Sequence, residues 1–259
     1  MLDWTAALAA LAAIAILALA GWVLSVRLRN AGVVDSLWSL FFLLGAGVYA
    51  AAAGAEGPRA WLLLALVALW ALRLSGYLTW RNWGEPEDRR YQAIRARNQP
   101  GFAWKSLYLV FGLQAALAWI IAMPLLAALS GGGSLGALDA AGVALWLAGC
   151  AFEAIGDAQL ARFKADPANR GRVLASGLWR YTRHPNYFGE ALLWWGYFTI
   201  AVAAGGAWTA FAPLLMTILL LKVSGVALLE KDIGERRPDY RAYLERTSAF
   251  IPWPPKELV

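Results

Sequence analysis

One cysteine and one histidine occur in 259 residues. The cysteine, Cys150, lies inside an apolar run, which excludes an intramolecular disulfide framework and a cysteine-rich metal site. A lone histidine, His184, cannot build a histidine-rich metal centre, and no metal is expected. Charge is scarce: 15% of residues are Asp, Glu, Lys or Arg, against about 25% in an ordinary soluble domain. The N-terminus, MLDWT, lacks a basic n-region, and the apolar run after it is too long for a signal-peptide core. It reads as a retained span. The net charge of +6 raises nucleic acid as a partner, but the basic residues sit between apolar runs, where a membrane-topology signal explains them better. No nucleic acid is expected.

What remains is apolar. Hydrophobic residues make up 60% of the chain, with 15 tryptophans, a balance that fits a multi-span membrane protein. Runs of about 20 apolar residues cross a bilayer as helices. Seven are present: 4–26, 34–53, 60–80, 106–129, 137–162, 186–204 and 207–228. The fourth contains Pro124, which neighbouring helices tolerate, and the fifth extends past the bilayer at its basic end. The expected fold is an all-α membrane protein, a bundle of seven transmembrane helices in one domain, 1–259. Charge orients it. Twenty of the 23 basic residues follow spans one, three, five and seven, and the opposite loops hold only Arg59. By the positive-inside tendency the N-terminus is outside and the C-terminus cytoplasmic.

One motif misleads. Gly131, Gly133 and Gly136 fit G-x-G-x-x-G, but a dinucleotide fingerprint needs a strand before it and a helix after it. Here the glycines join two apolar spans. Glu85, Glu87, Asp88 and the arginines at 89–97 read as a solvated loop face.

Ionisable groups inside a membrane are costly and face a cavity or a partner. They cluster at the cytoplasmic ends: Asp35 on helix two, Arg73, Tyr77 and Arg81 on helix three, Glu153, Asp157 and Lys164 on helix five. Asn186, Tyr187 and Glu190 open helix six, and Lys222 and Glu230 close helix seven. Asp35 also suits a helix cap, and single charges near helix ends can snorkel to headgroups. Their convergence from several helices at one depth points instead to a cavity open to the cytoplasm. Its basic rim (Arg81, Lys164, Arg172, Arg180, Arg183) suits phosphates or carboxylates. Its tryptophan-lined part, with Trp38 and Trp70, suits a hydrophobic small molecule entering from the membrane lipid. Because the outer half is almost purely apolar, a transporter is the weaker alternative.

The densest stretch is Gly171–Glu190, GRVLASGLWRYTRHPNYFGE. The segment SGLWRYTRHPNYFGE, an apolar helix, and then EKDIGERRPDYRAYLERTSAFIPWPP resemble the bacterial branch of the steroid 5-alpha-reductase family, most specifically over 171–255. Isoprenylcysteine carboxyl methyltransferases share the HP-x-Y-x-G core found here at 184–189, so transfer of a methyl group from S-adenosylmethionine is the enzymatic alternative. The resemblance implies a seven-helix enzyme of the bacterial inner membrane that uses NADPH without a Rossmann domain, its site facing the cytoplasm. Cofactor contacts fall on Asp157, Lys164, Arg172 and Asn186, and on Tyr77 and Arg81. Arg180, His184, Tyr187 and Glu190 join them from the same stretch. Lys164 replaces an arginine of animal members, Glu153 an asparagine, and Glu230 falls near a histidine. The family's catalytic tyrosine of helix three falls on Trp70.

The implied reaction reduces a carbon–carbon double bond conjugated to a ketone, as in a 3-oxo-4-ene steroid. Negative charge develops on the ketone oxygen, where a donor in a dry site is worth much. Asp35 fits only if burial keeps it protonated; Tyr187 and Tyr77 are the alternative hydroxyls. Asp35, Trp38, Trp70 and Glu153 are the expected substrate contacts. Asn186 and Glu190, one helical turn apart, are expected to hold the nicotinamide amide.

Overall fold

The computed structural model describes residues 3–223, 225–226, 230 and 239–256. Among them it is all-helical, without strands. The helices are α1 (Trp4–Leu28), α2 (Val33–Ala52), α3 (Pro58–Asn82), α4 (Arg89–Arg97), α5 (Phe102–Ser130), α6 (Ala137–Ala165), α7 (Pro185–Ala203), α8 (Ala207–Val223) and α9 (Asp239–Arg246). Five of them, α1, α2, α3, α5 and α6, are long and apolar enough to cross a membrane. These correspond to the first five expected spans. The sixth, α7, has 19 residues but carries Asn186, Tyr187 and Glu190 in its first two turns, which makes it less apolar. The seventh, α8, is apolar but short over its described residues. Residues 224 and 227–228 of that expected span, and Lys231, Arg236 and Arg237 beyond it, lie outside the described residues.

The chain forms two compact units. The first takes the residues up to Gly136 together with Ala201–Thr209; the second takes Ala137–Ile200 and the residues from Ala210 onward.

In the first unit, α1 starts at Asp3, whose side chain accepts from the Ala6 N–H at 3.0 Å. This satisfies one of the donors a helix start leaves open. It ends at Arg29, in the left-handed region (φ 52°), and a four-residue turn sends α2 back along it. Side-chain-to-backbone hydrogen bonds join the helices at several depths. Ser39 Oγ donates to Ala71 O (2.8 Å), Trp119 Nε1 to Ala7 O (2.7 Å) and Trp22 Nε1 to Ala103 O (2.7 Å). Such bonds contribute on average about 0.6 kcal/mol each between membrane helices. α5 has a π-turn over Leu107–Gly112, and it restarts at Ala122 because Pro124 has no N–H to continue the ladder.

The glycine-rich loop after α5 does the reverse of cradling a phosphate. Its carbonyls at Gly132 and Ser134 accept from Arg59 Nη1 and Nη2 at 2.7 and 2.8 Å. Arg59, the lone basic residue of those loops, is thereby buried at the start of α3.

The second unit is built on backbone contact. Gly142, Gly149 and Gly156 recur every seven residues on α6, facing Gly189 and Gly196, seven apart on α7. A Cβ on Gly149 would lie 2.6 Å from Gly189 O, and one on Gly196 2.7 Å from Gly142 O. Small residues let membrane helices approach this closely. α6 has 29 residues, about 44 Å at 1.5 Å per residue. That exceeds a hydrocarbon core of about 30 Å, so the helix is longer than a span along the bilayer normal requires. The seam continues to Gly156, whose Cβ would sit 3.0 Å from Pro185 Cγ. This fixes the start of α7 beside Asp157.

Candidate functional site

The sequence-predicted residues divide between the units. Asp35, Trp38, Trp70, Tyr77 and Arg81 belong to the first; Glu153, Asp157, Lys164, Arg172, Arg180, His184, Asn186, Tyr187 and Glu190 belong to the second.

In the second unit the segment from Gly177 to His184 is fastened from both sides. On the α6 side, Gln159 Oε1 accepts from the Leu178 N–H (3.0 Å) and Trp179 Nε1 donates to Gly156 O (3.1 Å). On the other side lies the C-terminal segment. Thr182 Oγ1 donates to Phe250 O (2.8 Å), the Arg183 N–H to Ser248 O (2.9 Å), the Trp253 N–H to Tyr181 O (2.9 Å) and the Tyr243 hydroxyl to Trp179 O.

Arg183, expected on the exposed basic rim, points inward instead. Its Nε and Nη2 form a fork on the Glu230 carboxylate (2.7 and 2.9 Å), and Nη1 donates to Leu244 O (3.0 Å) and Thr247 O. The guanidinium is buried, and a planar fork of this kind suits a carboxylate better than a lysine would. His184 lies 2.9 Å from the same Glu230 through Nε2, and its ring stacks on Tyr187, 5.5 Å between centroids and 4° from parallel. Burial pushes the Glu230 carboxyl up, but the His184 and Arg183 hydrogen bonds and charges outweigh it and hold it at about 2. His184 is therefore first a pin between Glu230 and Tyr187.

Next along the chain, Asn186 Nδ2 donates to Asp157 Oδ1 at 3.3 Å, as the seam dictates. Asn186 Oδ1 is buried and accepts no hydrogen bond from the protein. Glu153, Asp157 and Glu190 are buried on α6 and α7, whereas Lys164, Arg172 and Arg180 are exposed. Buried acids and an open acceptor thus lie inside, with exposed cations outside.

In the first unit, Asp35 sits in the first turn of α2 without acting as its cap. It accepts instead from Arg90 Nη2 (2.9 Å) and the Tyr91 hydroxyl (2.5 Å), and Gln114 Nε2 reaches that hydroxyl at 3.4 Å. Burial, then the Asp35 charge, pushes the Tyr91 phenol well up, so it stays a donor. The residues around Arg90 were expected to form a solvated loop face; they form a helix, α4, capped by Asp88, whose side chain accepts from the Arg90 N–H. Glu87 and Arg95 pair at 2.7 Å, and Glu87 also takes the Ala31 N–H (2.7 Å). Arg81 lies over the Tyr77 ring at 5.7 Å. Trp38, Phe42 and Trp70 form a ring cluster at 5.1 and 5.7 Å.

Arg90, Tyr91, Gln114 and the Glu230 pairing are the members that sequence reasoning missed. A signal existed for α4: Asp88 is a helix-start residue, and Tyr91 and Ile94 are its two large apolar side chains, three apart on one face.

A family profile described as a protein of unknown function (DUF1295) matches residues 21–247. That family includes steroid 5-alpha-reductase-like proteins. An uncharacterised protein of Schizosaccharomyces pombe is 27% identical over 262 aligned residues, covering 89% of this chain and 75% of that protein. No solved structure matches the chain.

Proposed function

The chain belongs to the DUF1295 family, and from that premise we propose that it is an NADPH-dependent membrane oxidoreductase acting on CH–CH groups. Its substrate on this reading is a membrane-soluble enone of the 3-oxo-4-ene steroid class. The proposed topology has seven spans, α7 and α8 included, with the N-terminus outside and the site on the cytoplasmic face of a bacterial inner membrane.

The observation that carries the reading is Asn186 Oδ1. A buried acceptor without a donor costs about 1–3 kcal/mol, so a ligand N–H that reaches it is strongly favoured. A carboxamide presents such an N–H beside a carbonyl. The exposed Lys164, Arg172 and Arg180 are the matching cations for phosphates. Asp157 orients the Asn186 amide, and the Glu230–His184–Tyr187 row orients the ring beside it. When bound, the dinucleotide supplies the hydride for the β-carbon, and a proton completes the reduction at the α-carbon.

The protein's remaining task is to meet charge on the ketone oxygen. Asp35 is an acceptor for Arg90 and Tyr91, so its role on this reading is to position rather than to donate. The hydroxyl of Tyr187, next to Asn186 in the second unit, is the donor assigned to that oxygen.

Purified protein is expected to oxidise NADPH when progesterone or testosterone is added. If it instead leaves NADPH untouched and transfers methyl from S-adenosylmethionine to a lipid acceptor, the reductase assignment is lost. Mass spectrometry of the small molecule that co-purifies tests the cofactor independently of the substrate.

A further inference from the structure

The C-terminal segment carries an exposed surface that the proposed reaction does not use; only Arg180, at its edge, is shared with the proposed cofactor site. Ile251 and Trp253 are 64% and 68% exposed, although neither belongs to an apolar run of spanning length. Their backbone is fixed. The Trp253 N–H bonds Tyr181 O and the Lys256 N–H bonds Arg246 O, each at 2.9 Å, while the adjacent Phe250 is buried edge-on against Phe188, 5.9 Å between ring centroids. The backbone bond to Tyr181 brings a third exposed, largely apolar residue, 43% accessible, next to Trp253. Arg180 lies over that ring at 6.0 Å. Arg180, Arg246 and Lys256 are all exposed, against one exposed acid on the same helix turn, Glu245.

Backbone chemistry matters as much as the side chains. Residues 252, 254 and 255 are prolines, which have no N–H, and the N–H groups of 253 and 256 are already bonded. From 252 to 256 no backbone donor is left over. A non-helical segment normally pays heavily for approaching lipid because its backbone is unsatisfied there; this one has no unbonded N–H, and its carbonyls meet water or donors at the headgroup level. Trp and Tyr prefer the headgroup level, and exposed Lys and Arg are drawn to anionic leaflets.

We propose that Tyr181, Ile251 and Trp253, ringed by Arg180, Arg246 and Lys256, form a rigid docking surface for the anionic phospholipid surface of the surrounding leaflet. The aromatic and aliphatic side chains enter the headgroup–acyl boundary and the three cations meet lipid phosphates. The segment that fastens Gly177–His184 is thereby itself held at the membrane.

The test uses the full chain with Cys150→Ser and either Ile251→Cys or Trp253→Cys, labelled with an environment-sensitive fluorophore. The two positions guard against one variant failing to fold. The protein is placed in nanodiscs of phosphatidylcholine alone or with phosphatidylglycerol, and quenching by aqueous iodide and by spin-labelled acyl chains is read. The expected result is shielding from iodide and quenching by shallow acyl-chain labels in the anionic discs, reversed by salt. Arg180→Gln, Arg246→Gln and Lys256→Gln are each expected to weaken docking about fivefold. Equal iodide access in both lipid compositions would overturn the proposal. So would shielding that appears in detergent and rises with protein concentration, since that outcome assigns the surface to a second copy of the chain.

Discussion

In the first unit a carboxylate, Asp35, accepts from Arg90 and Tyr91; in the second a carboxylate, Glu230, accepts from Arg183 and His184. The partners are the same in kind, an arginine and a ring. The enclosure differs. Arg90 bonds Asp35 through Nη2 and shares itself with Asp88 at the surface through Nε. Arg183 makes a two-bond fork and closes its third nitrogen on two backbone carbonyls of the C-terminal segment. The first arrangement ties a surface helix to a bundle already held by interhelical hydrogen bonds. The second holds a segment that has little secondary structure of its own.

This contrast orders the expected effects. The largest belongs to the frame of the second unit. Gly149→Leu has no room, since even a Cβ there falls within 2.6 Å of backbone; it is expected to cost more than the roughly 1–3 kcal/mol typical of core overpacking. Loss of the folded fraction in detergent, by size exclusion and thermal melting, would show it, and a monodisperse G149L protein with unchanged melting would mean the seam is not closed.

Next is Glu230→Ala, which leaves the Arg183 guanidinium buried without its partner. A loss of about 3–5 kcal/mol is expected, read from denaturant or thermal melts. The same carboxylate sets a pH dependence. Its folded pKa, about 2, lies below the unfolded value of about 4.3. Its contribution is therefore complete above roughly pH 4.3 and disappears as pH falls toward 2. Glu230→Gln is expected to shrink that acid step without abolishing it. Glu87 in the first unit contributes in the same direction: burial pushes its carboxyl up, but the Arg95 and Ala31 hydrogen bonds and the Arg95 charge hold it lower.

The third expected effect falls on binding. Asn186→Ala removes the open acceptor, and NADPH affinity by titration calorimetry is expected to drop about tenfold, the loss of one good hydrogen bond. An unchanged dissociation constant would detach Asn186 from the cofactor. The smallest is Asp35→Asn. Its partner Arg90 is part-exposed, so a stability change of about 1 kcal/mol or less is expected. A loss as large as that of Glu230→Ala would erase the contrast between the units.

The long apolar runs were legible because length and composition alone license them: all five spanning helices fall within a few residues of expected bounds. Asp157 and Asn186 were legible as polar groups at one depth on neighbouring helices, but their hydrogen bond was not. The partners of Asp35 and Glu230 were not. Arg90 is 55 residues from Asp35 and Glu230 is 47 from Arg183, and nothing local marks one arginine as a buried fork and another as a solvated rim. Arg183 reads like Arg180, three residues earlier, until tertiary carbonyls enclose it. The glycine period of seven on α6 was visible in the chain, but its meaning needed the matching pair on α7.

That backbone-to-backbone seam also limits how α6 and α7 can respond to a ligand. With no side-chain thickness between the helices, gradual separation or rolling has no intermediate packing to pass through. The next comparable register lies one glycine interval along, about 10 Å at 1.5 Å per residue. The distance between Asp157 and Asn186 therefore behaves as a fixed gauge, and any adjustment to a bound molecule falls to the segments the seam leaves outside it.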